Sequence, residues 1–133
     1  MSKTRFELLA SAAQSATGQG SGISVSGIKA MLVCVDVTSV SGSCTAIYMQ
    51  SSSDGGTTWF DLLAATKCCL TSGSGTTTTG STVRNIMSDA LTTGNVQKIA
   101  ATYNSFGDYV RAAFVISGSG PAVTFSVKAV GEN

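Results

Sequence analysis

The chain has 133 residues and a net charge of +1, with only 11% charged residues and no histidine. That length fits one domain with one core, and a hydrophobic fraction of 43% excludes wholesale disorder. Lys and Arg are scattered singly, so the clustered basic face of a nucleic-acid binder is missing. No run reaches the length of a membrane-spanning helix.

Ser and Thr replace the missing charges, at about a quarter of the chain. A surface of hydroxyls and glycines loses little side-chain entropy when it is ordered against a neighbour. The start of the chain lacks a continuous apolar signal core, because Glu7 interrupts Phe6-Glu7-Leu8-Leu9-Ala10. The expectation is a protein that stays in the cytoplasm where it is made, or in a particle assembled there.

Residues 1–22 hold a short semi-apolar piece followed by small residues, and are expected to form an N-terminal arm. Over Phe6 to Ala13 both a helical turn and an extended conformation fit, and the Gly/Ser stretch after it reads as a flexible connector. From Ile23 the pattern turns to β. Ile23, Val25 and Ile28 are interleaved with small residues, and Met31–Val37 is a β-branched run suited to a central strand. Ser39-Val40-Ser41-Gly42-Ser43 reads as punctuation before the next strand, Cys44 to Ser52.

The unit Ser51-Ser52-Ser53-Asp54-Gly55-Gly56-Thr57-Thr58-Trp59-Phe60-Asp61-Leu62 is the most informative text in the chain. Asp-Gly and Gly-Gly supply the positive φ angles of a tight hairpin turn, and the only Trp opens the following apolar run. Asp54, Gly55 and Gly56 are expected to build the turn, with Trp59 as a core anchor. Short strands are expected at Trp59–Leu63 and Thr66–Thr71, then a Gly/Thr/Ser loop over 72–81, and weaker strands at Val83–Met87 and Val96–Thr102.

The C-terminal third is clearest. Asp108 to Ile116 reads as a strand ended by Ser117-Gly118-Ser119-Gly120-Pro121, and Ala122 to Val130 as another. In the latter, Val123, Phe125, Val127 and Ala129 share one face, while Thr124, Ser126 and Lys128 share the other. Seven or eight short strands with Gly/Ser turns predict an all-β chain: an antiparallel β-sandwich or jelly-roll-like single domain over residues 23–133, preceded by the arm.

Chemistry finds little purchase. Without His the commonest general base is missing, leaving the carboxylates Glu7, Asp36, Asp54, Asp61, Asp89, Asp108 and Glu132. Asp54 and Asp108 adjoin turn residues, where Asp bonds its own backbone, so no catalytic residues and no enzyme are expected. Asp54 and Asp61 are too few oxygen ligands for calcium, and the 72–81 loop lacks the phosphate-binding pattern. No cofactor and no metal are expected.

Four cysteines, Cys34, Cys44, Cys68 and Cys69, read as buried thiols, or, for Cys34 and Cys44, as a pair across a hairpin centred on Ser39; both readings stand at this point. Trp59, Phe60, Tyr48, Tyr103 and Tyr109 offer material for a sugar-stacking platform. The simpler account has Trp59 and Phe60 on opposite sides of one strand, one plugging the core and one covering a sheet edge.

Three segments together carry a family resemblance. Leu8 to Ala13 opens the chain, Val35 to Gly42 precedes the Ser51–Leu62 unit, and Gly107 to Arg111 leads to Ser117–Val127. In that order the text resembles small all-β virion proteins of tailed bacteriophages, over about two-thirds of the chain. The region 64–106 departs into its own text. The resemblance implies a non-enzymatic capsid decoration (cement) protein, assembled in the host cytoplasm and located on the virion surface. Its implied partners are the major capsid protein and its own copies, as a dimer or trimer, with neither nucleic acid nor membrane involved. Phe6, Leu8 and Leu9 would then be contact residues of the arm. The alternatives are a neck, tail or head-fibre protein and, from another class, a carbohydrate-binding host-recognition module.

Overall fold

A computed structural model describes residues 3–63, 66–68, 86, 91–92 and 96–133. Among these the chain is all-β, without a helix. Its strands are β1 (Lys3–Gln14), β2 (Gly18–Gln19), β3 (Ile23–Ser24), β4 (Ala30–Ser52), β5 (Phe60–Asp61), β6 (Thr66–Cys68), β7 (Leu91–Thr92), β8 (Gln97–Tyr103) and β9 (Tyr109–Glu132). They form one antiparallel sheet with the order β1-β9-β4-β8-β6. Shorter strands fill its other end, where β2 and β3 pair with β9, and β5 and β7 pair with β4.

The two long strands are the spine. β4 and β9 pair from Ala30↔Glu132 to Ser52↔Tyr109. Midway both strands bend: Ser41 is opposite Ala122 and Ser43 is opposite Ser117, so the four residues 118–121 of β9 face Gly42 alone. Gly42, Gly118 and Gly120 have φ of 90°, 107° and 58°, a region open to Gly and costly for other residues. A bulge of this kind bends and twists a strand.

The bend lets the two halves of the sheet close on each other. Phe114 and Phe125 lie eleven positions apart, a separation that would span about 36 Å along a straight strand. Their rings instead meet edge to face, with centroids 5.3 Å apart and planes at 80°. One half (β1, the end of β9, the start of β4, β8, β6) thus faces the other across a shared core, as in a sandwich built from one folded sheet.

Alternation fills that core. Met31, Val33, Val35 and Val37 from β4 are buried, as are Val123, Phe125, Val127 and Ala129 from β9, and Val110, Ala112, Phe114 and Ile116 further along it. On the opposite face Leu32, Cys34 and Lys128 are exposed. Full burial of each Val, Ile, Met or Phe side chain in this core stabilises by roughly 1.5–3 kcal/mol.

Several expectations change. Residues 3–14 are not an arm. They form β1, with Lys3–Glu7 pairing stepwise to Glu132–Lys128. Leu8 is 3% exposed and belongs to the core, while Phe6 and Leu9 pack half-buried against it. They are therefore not arm contacts, and the folded unit begins well before residue 23. The adjacent Leu8-Leu9 pair hid the alternation, and the register shift between Glu7 and Leu9 explains how both side chains find cover.

The Ser39–Ser43 punctuation is the bend inside β4, and Ser117–Pro121 is the bulge inside β9 rather than its end. Cys34 and Cys44 consequently lie on one strand and are thiols, not a disulfide; Cys34 is exposed and Cys44 is buried. Burial pushes the Cys44 thiol up from 9.0 to about 11, offset in small part by a backbone hydrogen bond from Ala46; as a thiol it donates to the Ala46 carbonyl (3.6 Å). The expected 72–81 loop, the strand at 83–87 apart from the buried Ile86, and Cys69 and Asp89 lie outside the described residues.

Candidate functional site at the Asp54 loop

The Ser51–Leu62 unit closes one end of the molecule. Its strands pair as Gln50↔Asp61 and Ser51↔Phe60, so the connection is a wide loop, not a two-residue hairpin turn. A long loop needs its own supports, and Asp54 supplies them. The backbone N–H groups of Thr57 and Thr58 donate to its Oδ1 at 3.1 and 2.9 Å, and the Ser52 hydroxyl donates to the same oxygen at 2.7 Å. Ser52 Oγ in turn accepts from the N–H groups of Asp54 and Gly56. Gly55 and Gly56 have φ of 78° and 96°.

These donors favour the charged carboxylate. The Thr58 N–H chiefly, with the Ser52 hydroxyl next, holds the Asp54 carboxyl at about 2, against an ordinary 3.8. The folded value lies below the unfolded one, so the loop's support from this group is complete above 3.8 and is lost as pH falls through 2. Trp59 is the sole Trp and reports on this loop. Its emission is expected to change in that acid window in the native chain, and to lose that transition in Asp54→Asn, which keeps an acceptor oxygen but no ionisable group. A transition of equal size in the variant would show that another group controls the loop.

Two buried serines tie the loop to β9. Ser51 Oγ donates to the Tyr109 carbonyl (2.9 Å) and accepts from the Gly107 N–H (2.7 Å), while the Asp108 N–H donates to the Ser52 carbonyl at 2.9 Å. Both serines are fully buried with their hydroxyls satisfied, which removes the penalty of burying them. In a chain so rich in Ser, nothing in the sequence separates this pair from the rest.

Trp59 lies outside the core. It is half-buried on the outer face of the sheet, with its Nε1–H donating to the Gly56 carbonyl at 3.0 Å. The Arg111 guanidinium stacks 4.2 Å from the ring centroid. Arg111 Nε donates to Gln50 Oε1 (2.8 Å), and Gln50 Nε2 donates to Asp61 Oδ1 (3.0 Å). A Cβ at Gly22 would come within 2.9 Å of the indole, so the ring also rests on that backbone. Phe60 does not plug the core either, being 46% exposed; the buried side chain of this segment is Leu62.

The five aromatics do not assemble into one platform. Tyr103 is in the core, where its hydroxyl has no hydrogen-bond partner among the described residues and burial pushes its ionisation up. One face of Trp59 is taken by Arg111. The acids are dispersed too: Glu7, Asp36 and Glu132 lie on β1, β4 and β9 of one half, while Asp61 is on β5 of the other. Among the described residues no three of His, Cys, Asp and Glu are placed to hold a metal ion, and no helix is long and apolar enough to cross a membrane.

No family model matches the chain, and no curated protein matches it. Among solved structures it is similar to the SPBc2 prophage-derived protein YomS, with a TM-score of 0.49 and 17% identity, over 98% of this chain and 92% of that one. At that score and identity the likeness carries no argument about role.

Proposed function

We propose that this chain is a non-enzymatic structural component of a bacteriophage particle, bound to the capsid exterior as a decoration protein with the major capsid protein as its partner. The observation that supports the reading best is the Asp54 loop. Its carboxylate, its Ser hydroxyls, the indole N–H and the neighbouring Arg111 are engaged in holding one another, which makes a rigid cap rather than a reactive site. Phe60 and Leu63, 46% and 58% exposed, stand beside that cap and offer apolar contact to a shell neighbour. Binding the mature shell in preference to its precursor stabilises it by mass action.

Quantitative mass spectrometry of purified particles tests this role. A copy number equal to that of the major capsid protein, or a simple fraction of it, is expected from the symmetry of a shell. The copy number of a single ring would assign the chain to the neck or tail instead. Absence from particles would overturn the role altogether.

A further inference from the structure

The edge of the sheet along β1 leads beyond the particle role and does not rest on it. β1 ends the strand order, with β9 as its neighbour. From Lys3 to Glu7 it is regular, and its irregularities begin only after Glu7. No backbone hydrogen bond joins β1 to anything but β9 among the described residues. Gly20 lies against the Leu8 carbonyl, so the open part of the edge is Lys3–Glu7, and an uncovered edge without Pro is a template for another strand.

The charges on that edge indicate which strand. Arg5 and Glu7 are both exposed, and being two residues apart they share a face. If two copies of β1 pair antiparallel about Phe6, Arg5 falls opposite Glu7 of the partner subunit, and the same contact recurs across the twofold axis. Centring on Arg5 would set Lys3 against Glu7 twice but would also oppose two arginines, and centring on Glu7 would oppose two glutamates, which is unfavourable for residues directly across a ladder. The Phe6-centred register gives two attractive pairs and no repulsive one. It also brings together the half-buried Phe6 rings, each beside its own Gly131.

We propose that the open edge of β1 is a homodimer interface, in which Arg5–Glu7 of two copies pair antiparallel about Phe6 and join two sheets into one. The contact is isologous, so it closes at two copies and leaves no growing end.

Sedimentation of the full chain from micromolar to millimolar concentration tests it. The native chain is expected to pass reversibly from 13.4 kDa to twice that mass. Arg5→Glu and Glu7→Arg each turn both attractive pairs repulsive and should weaken association roughly tenfold, while the combined swap restores it. Both side chains are exposed, and a second readout needs no variant: amide exchange at Thr4–Glu7 should slow as concentration rises. A chain monomeric throughout, or a dimer indifferent to the single swaps, overturns the interface. A dimer absent from particles would uphold the pairing and overturn the decoration role, and a decorating monomer would do the reverse.

Discussion

Phe125→Ala is expected to cost about 4 kcal/mol of folding stability, the range for emptying a fully buried aromatic site. Phe125 is completely enclosed and its ring abuts Phe114 from the other half of the sheet. A domain of this kind has only about 5–15 kcal/mol in total, so the variant should be marginal in urea unfolding. Phe114→Ala, combined with it in a double-mutant cycle, should show a coupling of roughly 1 kcal/mol for the edge-to-face pair. Additivity of the two losses would mean that the halves do not close on each other through these rings.

Gly42→Ala should cost roughly 3 kcal/mol, combining backbone strain at positive φ with overpacking. A Cβ there would lie 2.8 Å from the Pro121 Cβ and 3.0 Å from its Cα, and the bend leaves neither strand room to retreat. Gly27→Ala is the matching control. Its φ is 84°, but nothing lies within 4 Å of the added carbon, so only the strain should appear, at about 1 kcal/mol. Thermal unfolding distinguishes them, with a fall in Tm of roughly 10 °C for Gly42→Ala and a few degrees for the control. Equal losses would remove the corner contact from the account.

The all-β class was legible because period-two alternation is unambiguous where one face is dry, as in Val123, Phe125, Val127 and Ala129. Strand ends were not. Gly42 and Gly118–Pro121 carry the composition of turns, yet each lies inside a strand, because the other strand bends at the same place and keeps the ladder intact. Only pairing between residues far apart in sequence distinguishes a bend from a turn, and local text does not contain it.

The same limit applied to the first strand. Glu7 beside Leu8-Leu9 looks like a broken apolar run until β9 supplies the ladder that places Leu8 inside. At the loop, Asp54, Gly55 and Gly56 stood out by residue type. The position of Trp59 did not, because it depends on Arg111 and Gly22 reaching the same place. Ser51 and Ser52 were hidden by the hydroxyl-rich composition around them.

The β4–β9 spine also governs how the chain can be made. β4 has its main partner near the opposite end of the sequence, and the same C-terminal strand holds β1, β2 and β3. Until Tyr109–Glu132 has left the ribosome, β1, β2 and β3 have no ladder to join and the core has only one wall. Folding therefore waits for the synthesis of β9 and must close its longest loops first, which places it among the slow, millisecond-to-second β topologies. During that delay the apolar stretches of β4 and β1 are in the open, and the cell must keep them from pairing with the wrong chain.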